Sequence, residues 1–211
     1  MRSAHAITSA PEVRLGRDFF NRPTLRVARE LIGKFIVRSG RTGRIAAMIV
    51  ETEAYKGPRD LAAHTAGGRR TARVMPLYAD GGTAYVYLVY GLHWLLNFST
   101  AGAGIPEGVL VRGVLANVDG RRAPLAGPGK VTRHLQVDKR QDGIDATQSS
   151  TLWLEDRGVR VPQVHIRRGP RIGVDYAGPY WAARPWRFWI DAATAERALD
   201  RAGIRSTESI F

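Results

Sequence analysis

Hydrophobic positions recur at helical spacing in some segments of the chain and at strand spacing in others. The first such segments predict a helix followed by a strand. The segment FFNRPTLRVARELIGKFIVR, which begins at Phe19, carries that helix in its middle. Thr24 stands at the expected N-cap and Gly33 at the expected C-terminal stop. The apolar positions that recur at helical spacing are Leu25, Ala28, Leu31 and Ile32.

Most of the other apolar segments are short and alternate with polar positions, as strands do. Residues 83–100 predict two apolar strands about a turn at Tyr90 and Gly91, whereas residues 57–82 predict a loop with at most a short helix. The segment GPGKVTRHLQVD predicts a loop that opens a helix, and residues 192–202 predict a last helix. The further predicted strands span residues 34–38, 44–53, 108–115, 151–155, 164–168 and 187–190.

Strands that follow one another with few helices between them favour a single α+β domain over a doubly wound fold. The sequence contains no repeat and no convincing linker. We therefore expect a flexible N-terminal arm over residues 1–14 and one domain over residues 15–205.

Composition narrows the function classes. The chain has 211 residues, 44% of them hydrophobic, which is typical of a folded domain and excludes disorder as its main state. It has no cysteine, and this excludes disulfide frameworks, thiol nucleophiles, cysteine-ligated zinc or iron–sulfur centres, and the zinc deaminases. Its 32 Lys and Arg against 19 Asp and Glu give a net charge of +13, which indicates a polyanionic partner.

The sequence gives no sign of a membrane segment. Its first residues lack the apolar core of a signal peptide. The longest apolar run without charges, Thr83 to Thr100, is short for a membrane span and carries Tyr, His and Asn side chains. We expect a soluble, cytoplasmic protein without membrane contact.

Two glutamates in the segment IVETEAY are the first candidates for chemistry. Glu51 and Glu53 would lie on one face of a regular strand, roughly 7 Å apart. Such a pair suits glycosyl chemistry, in which an acid–base group and a nucleophile or water flank the bond that breaks. An exposed strand face with solvated acids explains the spacing equally well. The basic chain and the neighbouring Tyr55 and His64 favour a shielded carboxylate that activates water.

The apolar segment before Thr100 carries several aromatic side chains. Tyr85 and Tyr87 alternate onto one strand face, where rings can stack on nucleic-acid bases, or can fill an ordinary core. His93 and Trp94 allow the same two interpretations. Tyr90 differs, because a turn tip is a poor place to bury a ring and a good place from which to wedge between base pairs.

Two short segments are candidates for phosphate contacts. The loop GGRRTAR contains Arg69, Arg70 and Arg73, which either bind a DNA backbone or form a solvated run of charge. The segment AGPGK ends at Lys130, a backbone contact or a potential amine nucleophile, although Pro and Gly at a helix start explain it equally well. The histidines are scattered without metal-ligand spacing, and we expect no metal site.

Taken together, these segments resemble the alkyladenine (3-methyladenine) DNA glycosylase family over about residues 15–190. The matching segments are FFNRPTLRVARELIGKFIVR, VETEAYKGPRDLAAHTAGGRRTAR, YVYLVYGLHWLLNFST, VLVR, GPGK and RIGVDYAGPYWAARPWRFW. The resemblance implies a fold related to the C-terminal domain of methionyl-tRNA formyltransferase: a curved, mainly antiparallel sheet with a protruding β-hairpin and flanking helices. It also implies a monomer that acts on duplex DNA containing damaged purines, without metal or cofactor, in the cytoplasm at the nucleoid.

The family's reaction centre matches four positions. Glu53 corresponds to the general base, and Arg112 with the backbone of Val174 to the groups that help it hold a water. Tyr90 corresponds to the residue inserted into the minor groove where the base leaves. Glu51 matches no residue with a role in the family, so the resemblance implies a single base.

The base pocket of the family is also present in the sequence. Tyr55 and Tyr87 match the stacking tyrosines, His64 the histidine on the opposite side of the purine, and Asn97 the side chain that disfavours the guanine 2-amino group. Arg69, Arg70, Arg73 and Lys130 are the expected contacts to the DNA backbone.

The chain departs from the family pattern in three places. Val74 replaces a frequent Asn, GVLA follows Arg112 in place of Ala-Leu-Glu-Pro, and AGAGIPEG is longer than in some relatives. These departures concern substrate range more than reaction type. Two other classes of function remain: a non-catalytic nucleic-acid-binding module, and a carbohydrate hydrolase that uses Glu51 and Glu53 together.

Overall fold

The computed structural model describes residues 12–41 and 43–204, and its centre is a ten-stranded sheet in which every pair of strands is antiparallel. The strands are β1 Val13–Arg14, β2 Phe35–Gly40, β3 Gly43–Tyr55, β4 Ala84–Val89, β5 His93–Thr100, β6 Glu107–Val118, β7 Arg121–Ala126, β8 Leu152–Asp156, β9 Arg167–Gly169 and β10 Arg187–Trp189. The helices are α1 Arg17–Phe20, α2 Thr24–Glu30, α3 Met75–Tyr78, α4 Pro128–His134, α5 Pro179–Ala182 and α6 Ala192–Arg201.

The main path of the sheet runs β1-β8-β2-β3-β6-β5-β4, and two branches leave it. β7 pairs with the second half of β6, whereas β10 pairs with the second half of β3 and carries β9 on its other side. The sheet curves into a half-barrel with helices packed on it, which confirms the predicted single α+β domain. The predicted hairpin is formed by β4 and β5 about residues 90–92.

One large apolar core holds the sheet and helices together. It includes side chains of α2, α4 and α6 and those of the central strands. The rings of Phe20, Phe35 and Phe98 lie in it fully buried. Because these elements pack into one core, β3 and β6 form a rigid base for any site at their ends.

A double irregularity interrupts the pairing of β3 with β6. Ile49 pairs with Val114, Glu51 with Gly113 and Thr52 with Val111, so Val50 and Arg112 have no partner across this ladder. Successive ladder pairs point to alternate faces, so Ile49 and Thr52 share one face, and Glu51 and Glu53 the other. Accordingly, the Thr52 hydroxyl donates to a carbonyl of α2. Without the two bulges, Glu51 would point to the face of the buried Ile49.

Several boundaries differ from those that the sequence predicts. The N-cap of α2 is Pro23, and Thr24 instead uses its hydroxyl to bond Thr100 and Glu107. A 3₁₀ turn covers part of the predicted strand 164–168, and β9 begins only at Arg167. β7 is not among the predicted strands, because its Arg-rich sequence RRAPLA lacks apolar alternation.

The predicted N-terminal arm falls mainly on residues 1–11, which lie outside the described residues. Val13 and Arg14, at its end, form β1 and pair with Asp156 and Glu155. Residue 205, the predicted end of the domain, is also outside the described part. Among the helices of the described residues, none has the length and hydrophobicity that crossing a bilayer requires.

Candidate active site

Glu53 lies near the end of β3 with its side chain fully buried. The Tyr55 hydroxyl donates to Oε2 of Glu53 at 2.9 Å, and the backbone N–H of Ile172 donates to Oε1 at 2.8 Å. Nε of Arg112 stands 3.5 Å from the same Oε1. Burial raises the pKa of Glu53, while the charge of Arg112 and the two hydrogen bonds oppose that rise. This carboxylate is held in one orientation and accepts a proton more readily than a solvated glutamate.

Glu51 has a different environment, although it shares a face with Glu53. Its Oε1 lies 3.3 Å from Nε of Arg112 and accepts a hydrogen bond from Nη1 of Arg187 at 3.0 Å. Glu51 borders a separate cavity of about 210 Å³, together with residues such as Trp189. Glu53, in contrast, borders the main cavity of about 630 Å³. The two carboxylates therefore do not face one reaction space.

Aromatic rings form the walls of the main cavity. Tyr55, His64 and Tyr87 all border it, as the sequence predicts, and so does Asn97. The rings of His64 and Tyr87 meet edge to face, with centroids 4.5 Å apart and planes at 71°. A cavity of this size with flat walls suits a planar heterocycle.

His64 is held by Tyr85, which the sequence offers either as a stacking ring or as a core residue and which has no assigned role in the base pocket that the resemblance implies. Nδ1 of His64 lies 2.8 Å from the hydroxyl of Tyr85. The ring of Tyr85 stacks on the ring of Tyr87, with the two centroids 5.1 Å apart. The amide of Asn97 donates to the backbone carbonyl of Tyr85 at 3.1 Å. Burial, together with the charges of Arg73 and Arg69, lowers the pKa of His64 to about 4. His64 is therefore a neutral ring at physiological pH.

The tip of the β4–β5 hairpin is apolar and exposed beside the cavity. Tyr90 is 92% exposed and adopts a left-handed backbone with φ of 51°. Leu92, two residues later, is 75% exposed. α4 packs against the tip end of this hairpin, because a Cβ at Gly129 would come within about 3.0 Å of the ring of His93, which pairs with Val89 next to the turn. The tip is therefore supported from one side by α4.

The predicted phosphate-binding side chains Arg69, Arg70, Arg73 and Lys130 are all exposed. Among the described residues, none of the four pairs with a carboxylate. Arg70 lies over the ring of Tyr78 at 4.4 Å, and Arg73 over that of Tyr87 at 5.4 Å. Lys130 stands in the first turn of α4, where it borders the main cavity. Their charges are thus available to a polyanion.

Val174 lies at the cavity wall but does not bond Glu53. Its side chain is buried, and its carbonyl accepts the N–H of Ala177 at 3.0 Å. The backbone group that bonds Glu53 itself belongs to Ile172, and the expected role of the Val174 backbone, to help Glu53 hold a water, stays a prediction. Sequence reasoning missed Ile172 because a backbone N–H leaves no trace in residue type.

Comparison with known proteins points to one family. Residues 18–194 match the family model described as methylpurine-DNA glycosylase. A protein of Clostridium perfringens, assigned by name to the 3-methyladenine DNA glycosylases, is 38% identical over 200 residues, which cover 84% of this chain and 96% of the relative. A similarly named protein of Methanocella arvoryzae is 42% identical over 83% of this chain and 91% of its own length. The DNA-3-methyladenine glycosylase of Homo sapiens is 33% identical over 93% of this chain and 72% of its own length.

Proposed function

The chain belongs to the methylpurine-DNA glycosylase family, and from this premise we propose that it removes damaged purines from duplex DNA by hydrolysis, leaving an abasic site. The proposed substrate is 3-methyladenine, with hypoxanthine and ethenoadenine as further candidates. One observation carries the proposal: Glu53 is buried at the wall of an aromatic cavity, with both of its oxygens held by donors.

In the proposed reaction, Glu53 orients a water and takes its proton as the oxygen attacks C1′ of the sugar. The N-glycosidic bond breaks and its electron pair leaves with the purine. The raised pKa of Glu53 supports the role of general base, because proton transfer is most efficient when the pKa of the base lies close to the working pH. A cationic alkylated purine becomes neutral as it leaves, so we expect neutral hypoxanthine and ethenoadenine to leave more slowly.

The aromatic geometry supports base flipping as the route into the site. We propose that Tyr90 fills the gap in the stack while the purine enters between Tyr55 on one side and His64 with Tyr87 on the other. The exposure of Tyr90 and the flat cavity walls support this assignment. Unstacking costs least for a damaged or mispaired base, so extrusion itself selects for lesions.

The exposed cations support binding to the DNA backbone without sequence preference. We propose that Arg69, Arg70, Arg73 and Lys130 contact phosphates, which fix the position of the protein on the duplex but do not read its sequence. We further propose, from the resemblance to the family, that the protein acts as a monomer in the cytoplasm and associates with the nucleoid through its DNA contacts.

The test is base release from duplex oligonucleotides that each carry one lesion. We expect release from 3-methyladenine duplexes and a loss of about 10²–10⁴-fold in Glu53→Gln, since this is the usual contribution of a general base. Glu51→Gln is the matched control and should lose far less. Lesion binding without any release by the wild type would favour the non-catalytic binding module instead. Equal losses at Glu51 and Glu53 would favour the two-carboxylate hydrolase.

The same reaction distinguishes hydrolysis from strand cleavage. A bifunctional glycosylase forms a Schiff base through an amine, and Lys130 is the lysine among the cavity-lining residues. We propose water as the nucleophile, so product strands should stay intact until alkali is added, and borohydride should trap no adduct. An adduct that disappears in Lys130→Gln would contradict this.

A further inference from the structure

Behind the aromatic wall lies a buried ion pair that does not border the cavity. Asp60 and Arg171 pair through two hydrogen bonds, Nη1 to Oδ2 at 2.5 Å and Nη2 to Oδ1 at 2.8 Å. Both side chains are 0% exposed. Removing two charges from water is costly, and a buried ion pair is weak evidence for stability. Its burial next to the site therefore calls for another explanation.

Three contacts connect this ion pair to Glu53. Nη1 of Arg171 donates to the carbonyl of Ala54, the residue that follows Glu53 on β3, at 3.0 Å. The guanidinium lies over the ring of Tyr55 at 4.7 Å, and the hydroxyl of that ring bonds Glu53. Arg171 also directly precedes Ile172, whose N–H bonds the other oxygen of Glu53.

Asp60 extends the same arrangement to the loop that carries His64, which also borders the cavity. Its carboxylate accepts the N–H of Lys56 at 3.1 Å and the N–H of Ala62 at 3.1 Å. These bonds fix the turn that leads from β3 to His64. One carboxylate thus ties together the strand of Glu53, the loop of His64 and the segment of Ile172.

We propose that Asp60 and Arg171 are positioning residues, which set the orientation of Glu53 through Tyr55 and Ile172 without touching substrate. The inference rests on the proposed function, because it concerns how the general base is held. Small displacements of a reacting group can cost about 10²-fold in rate. The pair is therefore expected to affect the chemical step and not the binding of DNA.

The experiment measures two quantities on full-length protein: the single-turnover rate of base release from a 3-methyladenine duplex, and the affinity for a duplex carrying an uncleavable abasic-site analogue. The variants are Asp60→Asn, which keeps the shape but not the charge, and Arg171→Lys, which keeps the charge but not the planar fork. The matched control is Glu155→Gln, which breaks the buried ion pair between Glu155 on β8 and Arg157 just after that strand; β8 lies two strands from β3.

We expect both site variants to lose about 10²-fold in rate at unchanged affinity, and the control to lose little of either. In a Glu53→Gln background, Asp60→Asn should cost almost nothing further, because groups that act as one unit are not additive. Any of four results would overturn the inference. Asp60→Asn could release base at the wild-type rate, or the control could lose as much rate as the site variants. Asp60→Asn could still lose about 10²-fold in the Glu53→Gln background, or both site variants could fail to fold. Wild-type protein that releases no base would instead overturn the proposed function, and the inference with it.

Discussion

At the scale of single residues, the burial of Glu53 suits its proposed role as general base but lowers the stability of the folded protein. The fold buries an ionisable carboxyl completely and raises its pKa. A raised pKa in the folded state means that the fold disfavours the charged form relative to the unfolded chain. The stability contributed by Glu53 is therefore fully present below its ordinary pKa of 4.5 and is lost as the pH rises through the folded value.

Glu53→Gln should therefore stabilise the protein at pH 7, by about 0.5–2 kcal/mol, the usual scale of such replacements. The measurement is the unfolding free energy of both proteins by urea denaturation at several pH values. The advantage should shrink as the pH falls through the raised pKa of Glu53 towards 4.5, because folded wild-type Glu53 takes up its proton over that range. A variant that is less stable at pH 7, or a difference independent of pH, would contradict this prediction.

The sequence indicates the residues that border the cavity, and that we propose to carry the chemistry, more readily than the residues that hold them in place. Glu53, Tyr55, His64, Tyr87 and Asn97 border one cavity, as expected, because their motif segments each contain an unusual combination of residue types. The supporting residues are a core tyrosine, a backbone N–H and a buried ion pair: Tyr85, Ile172, Asp60 and Arg171. Their roles depend on contacts between segments distant in the chain, and no local pattern records such contacts.

At the scale of elements, the β4–β5 hairpin is the part of the structure that alternation and turn residues predicted best. Its strands are apolar and its turn contains Gly91, with φ of 69°. In contrast, the bulge in β3 has no local signal, because Val50 fits an ordinary strand position. Only its pairing with β6 reveals that Glu51 and Glu53 point away from the face of Ile49.

Tyr90→Ala should weaken capture of the flipped state by about 1–3 kcal/mol, the scale of one base–aromatic stack. Stability should stay unchanged, because the ring is 92% exposed. Tyr90→Phe is the control, since it keeps the ring and should bind as the wild type does. The measurement is the affinity for lesion and undamaged duplexes in parallel. An equal loss on both duplexes would assign Tyr90 to general DNA contact and not to flipping.

At the scale of the whole molecule, the net charge of +13 is partly concentrated beside the cavity, in arginines without carboxylate partners among the described residues. Some arginines elsewhere are paired, as Arg26 is with Glu30, and others, such as the exposed Arg59 and Arg168, pair with no carboxylate among the described residues. The loop arginines differ in their place beside the cavity, where Arg73 lies over the ring of Tyr87, and this place favours contact with a polyanion that enters the cavity.

Replacing Arg69, Arg70 or Arg73 by Gln should flatten the dependence of log affinity on log salt by about 0.9 for each phosphate that the protein no longer neutralises. Damaged and undamaged duplexes should weaken alike, because binding to phosphates carries no sequence or lesion information. Titration at several salt concentrations gives the slopes, with Arg26→Gln as the paired-arginine control. If none of the three slopes changes, the loop is a solvated run of charge.

The bulges at Val50 in β3 and at Arg112 in β6 also affect which substitutions the sheet tolerates beside Glu53. Val50 and Arg112 are the extra residues of the two bulges. Without them, the residue pairs on either side would follow one another in a regular antiparallel ladder. The side chain at position 112 has no cross-strand neighbour in this ladder and contacts Glu51 and Glu53, so a change there alters the surroundings of these carboxylates and not the pairing of the two strands. A single substitution at position 112 can therefore change the environment of the proposed base during evolution while the sheet is retained.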